Sequence, residues 1–134
     1  MNAGRLILGI DPGTRKAGYA VLAGDGSVRE LGIEPLEGLL TRVEGLLRSH
    51  PISAVALGQG TNSSVVAAGL ARFGLPVRLV DERETTLKAR RLYFADHPPR
   101  GWRRLIPLGM QLPPRPVDDY AAVLIGRRYL LLEG

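Results

Sequence analysis

The sequence has no cysteine, two histidines, one tryptophan and an aromatic content of only 5%. Without cysteine there can be no disulfide, no thiolate zinc site and no cysteine nucleophile. The longest apolar runs, such as Leu6–Ile10, fall far short of the roughly 20 residues that a bilayer span needs. The N-terminus lacks a cationic start, a long apolar stretch and a small-residue cleavage site, so a cytoplasmic location and no membrane partner are expected. What is present is 134 residues, 45% hydrophobic and 23% charged. That is an ordinary globular composition, and its length fits a single domain over 1–134. A chain of this size can bury about two-thirds of its unfolded surface without staples.

Charge is placed unevenly. Residues 1–66 carry six basic and six acidic side chains; residues 67–134 carry twelve basic and seven acidic. The excess lies between Arg83 and Arg104, with seven bases against two acids. Sixteen of the 18 bases are Arg, whose planar fork matches phosphate oxygens. A polyanionic partner fits this distribution.

Apolar runs and turn signals give the element order βββ-α-β-α-β-α-loop-α. The expected strands are Arg5–Asp11, Lys16–Ala23, Ser27–Ile33, Ile52–Leu57 and Pro76–Val80. Leu36, Leu39, Leu40, Val43, Leu46 and Leu47 space an amphipathic helix over Pro35–Ser49, with Pro35 suited to its first turn. A second helix is expected from a Thr61 or Asn62 cap to Phe73, and a basic one from Thr85 or Thr86 to about Tyr93. Asp96–Arg115, with five of the ten prolines, reads as a long functional loop. The last helix is expected over Pro116–Leu132. Three strands in a meander and two more joined through helical crossovers require a mixed α/β sheet with helices on both faces.

The acids are less easily explained as structure. Desolvating a carboxylate is costly, yet Asp11 closes one apolar run and Asp81-Glu82 another. Strand ends near chain reversals are where α/β sheets bind ligands. Asp118-Asp119 opens an otherwise apolar helix, where the helix dipole also favours acids. Asp11 could equally form a turn before Pro12-Gly13, and one of Asp81, Glu82 and Glu84 could cap the following helix. Taken together, carboxylates from three elements form a hard-oxygen set suited to Mg²⁺ or Mn²⁺. Their mutual repulsion is offset by a divalent cation. Two such ions about 3.5–4 Å apart can activate water and stabilise the leaving oxygen in phosphodiester hydrolysis.

These motifs resemble a known family. Ile7-Leu-Gly-Ile-Asp-Pro-Gly-Thr14 followed by Gly18-Tyr-Ala-Val-Leu22 resembles the first motif of the RuvC-type Holliday-junction resolvases. Val80-Asp-Glu-Arg-Glu-Thr-Thr86 resembles the DER-x-T motif of the YqgF (RuvX) family, and Val117-Asp118 with Ala121–Ile125 resembles its last helix. The resemblance implies a ribonuclease H-like fold and a Mg²⁺- or Mn²⁺-dependent nuclease acting in maturation of the 16S rRNA precursor. Carried over by position, Asp11, Glu82 and Asp118 would be the catalytic, metal-binding acids. Gly58 stands where resolvases proper place a further acid, which argues against a true resolvase. A Holliday junction resolvase and a non-catalytic nucleic-acid binder are the alternatives. A third, the actin-like and sugar-kinase ATPases, shares an Asp-x-Gly-Thr hairpin but needs two such domains. Monomer and homodimer both stay open.

Beside these acids, Arg83, Lys88, Arg90 and Arg91 are expected to grip nucleic acid, with Arg83, Arg90 and Arg91 on one helix side. Arg100, Trp102, Arg103 and Arg104 put an aromatic among bases, which suits stacking on unpaired nucleotides. Either group could instead be a solvated surface or a loop anchor. His50 and His97 carry no mark of a ligand or a base.

Overall fold

The computed structural model describes residues 5–60, 62–81, 85–98 and 116–133, with 85–87 and 133 as backbone only. Of the expected site residues, Glu82, Arg83, Arg100, Trp102, Arg103 and Arg104 lie outside the described residues, as do Thr61 and most of the expected loop.

Five strands are described: β1 (Leu6–Pro12), β2 (Lys16–Ala23), β3 (Val28–Pro35), β4 (Ile52–Gly58) and β5 (Val77–Val80). Four α-helices accompany them: α1 (Leu39–Ser49), α2 (Ser63–Leu70), α3 (Thr85–Asp96) and α4 (Asp118–Glu133). The sheet order is β3-β2-β1-β4-β5. β1, β2 and β3 form the antiparallel meander, while β4 and β5 run parallel to β1. This is the expected mixed five-stranded α/β sheet.

β1 lies mid-sheet and is buried on both faces, which explains its unbroken apolar run. Leu6, Leu8 and Ile10 face α1 and α2, where Leu39, Val43, Leu46, Val66 and Leu70 complete one core layer. Ile7 faces the other way, into a layer with Ala20, Leu22, Ala54, Ala56, Val80, Ala122, Val123 and Ile125. α3 packs on α4 through Ala89, Tyr93, Phe94, Tyr120 and Ala121.

Two expectations are corrected. Pro35 is the last residue of β3, paired with Lys16, and a 3₁₀ turn over Leu36–Gly38 precedes α1. The proline sits on an edge strand, where a missing N–H costs no ladder bond. Asn62 occupies the cap position of α2, but its side chain makes no cap hydrogen bond. Its Nδ2 donates instead to the Gly13 carbonyl at 2.8 Å, tying α2 to the β1–β2 turn.

Candidate active site

β1, β4 and β5 are parallel, so their carboxyl ends share one edge of the sheet. At that edge Asp11 stands directly across from Gly18 of β2. Side chains of directly paired residues share a face. The face is fixed by Ile7 and by two glycines that α4 touches with its own backbone. A Cβ at Gly9 would collide with the Ala122 carbonyl, and one at Gly18 with the Asp118 carbonyl, reaching the Asp119 nitrogen at 2.7 Å. Asp118 and Ala122 are one helical turn apart, so two successive turns rest on bare backbone. Only glycine permits that approach.

The consequence is local. Asp11 alternates onto the same face as Ile7 and Gly9, next to Gly18, and Gly18 is the floor beneath Asp118. Two acids 107 positions apart in the chain therefore both stand beside Gly18, one at the carboxyl end of β1 and one at the amino end of α4. Both are partly exposed. Lys16, which alternates onto this face two residues before Gly18, brings its Nζ to 3.6 Å from Asp118 Oδ2. The pair is open to water, with the lysine side chain 44% and the aspartate 31% exposed. The β1–β2 turn that carries Lys16 is closed by Gly13 N–H donating to the Lys16 carbonyl at 2.9 Å, and Asn62 holds it from the far side. Lys16 carries no motif of its own; its one signal in the sequence is its position, one strand period from Gly18.

The other acids separate. Asp119 is only 3% exposed, and its Oδ1 accepts the Tyr120 N–H at 3.0 Å. It turns inward while Asp118 faces the cleft, as a rotation of about 100° between helix neighbours requires. Asp81 lines a groove of about 200 Å³ with Lys88, Leu124, Ile125 and Arg128. Ile125 is two turns along α4 from Asp118, roughly 10 Å by helix rise. Among the described residues no three His, Cys, Asp or Glu side chains are grouped to hold a metal ion. The pair offers hard carboxylate oxygens at a place that already attracts a cation, and this fits Mg²⁺ or Mn²⁺.

Of the expected basic group on α3, Lys88, Arg90 and Arg91 are described and Arg83 is not. Lys88 and Arg91 are exposed, Arg90 is half-buried, and Ala89 and Tyr93 hold the inner side. The helix begins at Thr85, so no face shared with Arg83 is described. Both histidines have partners. His50 Nε2 lies 3.0 Å from Glu30 Oε1, and the His97 ring stacks on Tyr93 with centroids 4.6 Å apart. Tyr120 donates its hydroxyl to Asp96 Oδ2 at 3.0 Å, joining the end of α3 to the start of α4.

No family model matches the chain. A curated protein of Azotobacter vinelandii named "Putative pre-16S rRNA nuclease" is 33% identical over 141 residues, covering 93% of this chain and 92% of that one. A crossover junction endodeoxyribonuclease RuvC of Anaeromyxobacter sp. is 36% identical over 99 residues, covering 54% of this chain. Among solved structures, T. thermophilus RuvC in complex with a Holliday junction substrate superposes with a TM-score of 0.63 at 16% identity, covering 96% of this chain. The sheet and its helices thus have the ribonuclease H-like fold of RuvC. With a third of its residues shared over nearly its whole length, the chain belongs to the pre-16S rRNA nuclease family.

Proposed function

We propose that this protein is a metal-dependent endonuclease that hydrolyses phosphodiester bonds in RNA, acting in the cytoplasm on the 16S rRNA precursor. The observation that carries the reading is the convergence of Asp11 and Asp118 over Gly18 at the carboxyl edge of the sheet. The names of the relatives agree with it. In this reading Asp11, Glu82 and Asp118 would hold Mg²⁺ or Mn²⁺, which when bound would supply Lewis acidity at the phosphate and acidify an attacking water.

The chain's own residues do the rest. Gly18 and Gly9 let α4 lie close enough for Asp118 to reach the level of Asp11. Lys16 sets a fixed positive charge beside the pair. Lys88 and Arg91 present exposed cations, and with Arg83, Arg90, Arg100, Arg103 and Arg104 they would grip the nucleic-acid backbone. Trp102 would stack on an unpaired base.

The test is a cleavage assay with Mg²⁺ or Mn²⁺ on matched single-stranded RNA, single-stranded DNA and four-way junctions. Cleavage of the RNA, lost in Asp11→Asn and Asp118→Asn variants that keep the wild-type circular dichroism, is expected. Full cleavage by Asp11→Asn would refute the assignment. A second reading, a DNA junction resolvase, draws on the partial match to RuvC; preferential junction cutting by a homodimer would establish it. Metal-independent binding without turnover would make the protein a non-catalytic nucleic-acid binder.

A further inference from the structure

We infer that the outer face of the carboxyl-terminal half of α4 is a phosphate-binding surface, on which Arg127 and Arg128, with Lys88 of α3 beside them, hold the backbone of a single-stranded RNA. The inference rests on the nucleic-acid-binding part of the proposed function and names where the strand runs.

Helix periodicity defines the face. Val117, Tyr120, Ala121 and Leu124 recur at i, i+3, i+4 and i+7 along α4 and pack with Ala89, Tyr93 and Phe94 of α3. The same stripe continues with the same spacing as Leu124, Arg127, Arg128 and Leu131. α3 runs back along α4 from Asp96, bonded to Tyr120, toward Lys88, which lines one groove with Leu124 and Arg128. There the cover ends: Arg128 is exposed and Leu131 is 82% exposed.

The charges on this face suit an anion. Neither arginine has an ion-pair partner among the described residues, whereas Arg42 and Arg48 each have a glutamate. Arg127 is held by a neutral group instead. Its Nε donates to the Gly26 carbonyl at 3.1 Å, and its stem lies against that turn, where a Cβ at Gly26 would stand 3.7 Å from its Cγ. That bond uses one N–H of the guanidinium and leaves the two terminal nitrogens to fork onto phosphate oxygens. A side chain fixed beforehand loses less entropy on binding. Two carboxylates border the face. Asp81 lines the groove, and Asp25, beside Arg127, has its Oδ1 engaged by the Ser27 N–H and hydroxyl. Against Lys88, Arg127 and Arg128 they leave the face net positive.

The face is also continuous with the candidate site. Arg127 and Arg128 follow Asp118 by nine and ten residues on the same helix, roughly 14–15 Å by helix rise. At 3.4 Å per stacked nucleotide that span is about four nucleotides, so one short strand reaches both.

The experiment is binding of a labelled single-stranded RNA of about 12 nucleotides, within the range that such grooves hold, to the full chain without divalent metal and over a series of salt concentrations. Arg127→Gln/Arg128→Gln should reduce the slope of log binding constant against log salt by about 1.4, two phosphate contacts at about 0.7 each. Arg48→Gln/Arg72→Gln removes the same charge from exposed positions on α1 and just after α2 and should keep the wild-type slope. Because Arg127 also braces the β2–β3 turn, Arg128→Gln alone is the second variant, with the wild-type melting temperature and a slope lower by about 0.7. A wild-type slope in Arg127→Gln/Arg128→Gln would overturn the inference and leave the face, with its exposed Leu131, to a protein partner. Equal losses in the two double variants would also overturn it, by making the effect one of net charge. No RNA binding by wild type would overturn it together with the nucleic-acid reading. Full cleavage by Asp11→Asn, by contrast, would sink the assignment of the acids alone, because the binding result does not depend on them.

Discussion

Adding one methyl group at Gly18 tests the geometry of the site more sharply than removing an acid. The Gly18→Ala methyl would overlap the backbone carbonyl of Asp118 and lie 2.7 Å from the Asp119 nitrogen. Neither atom is a side-chain end that can rotate away, so the first turn of α4 must lift from the sheet. Overpacking of this kind costs about 1–3 kcal/mol. Unfolding entropies of about 2.1 cal/mol/K per residue over 134 residues convert that to a melting temperature lower by roughly 4–10 °C. The functional effect should be larger than the stability effect, because the displaced turn carries Asp118. A shift of about 1 Å in a positioning element can cost on the order of 100-fold in rate. The assays are thermal unfolding, Mn²⁺ titration and single-turnover cleavage on the same preparation. Gly45→Ala is the control, since a Cβ there meets nothing within 4 Å. In the interior of α1 it should stabilise by about 0.8–1 kcal/mol and leave cleavage untouched. A Gly18→Ala protein that melts with wild type and cleaves at the wild-type rate would show that α4 does not rest on Gly18 and that Asp118 is not placed by it.

Three further outcomes are expected. Asn62→Ala removes the bond to the Gly13 carbonyl and should lower unfolding free energy in urea by about 1 kcal/mol; no change would mean that the β1–β2 turn holds itself. Asp25 is pulled below the ordinary carboxylate range by hydrogen bonds from the Ser27 hydroxyl and then the Ser27 N–H. A depressed acid contributes stability above its unfolded pKa and loses it as pH falls through the folded value. Melting temperatures should therefore fall less steeply below about pH 4 in Asp25→Ala than in wild type, and parallel curves would sink the assignment. Replacing exposed Lys88 and Arg91 together by Ala should reduce the slope of log binding constant against log salt for single-stranded RNA by about 1.4; an unchanged slope would place the backbone contacts elsewhere.

The parts of the fold legible in the sequence are those whose cause is local. Leu6–Ile10 is apolar throughout because β1 is buried on both faces, and the turn after it is written in Pro12-Gly13. α1 announces itself because one face carries every leucine spacing that its core layer needs. The misreadings arise where a distant partner decides. Pro35 suits a helix start by its own φ, yet Lys16 across the ladder draws it into β3. Asn62 suits a cap, yet the Gly13 carbonyl, 49 positions earlier, takes its amide. The site divides in the same way. Asp11 could be singled out as an acid ending an apolar run and Asp118 as one opening an apolar helix, but their common place beside Gly18 depends on α4 lying over β1 and β2. That in turn depends on Gly9 and Gly18, whose spacing in a strand says only that a side chain is missing, not what comes to fill the gap. Lys16 was missed for a related reason. Read along the chain it is one base among 18; only the pairing of Asp11 with Gly18, combined with the two-residue alternation of β2, turns it toward the acids. The chemistry of the candidate site is therefore set less by the acids themselves than by the small residues that decide which side chains can stand beside them.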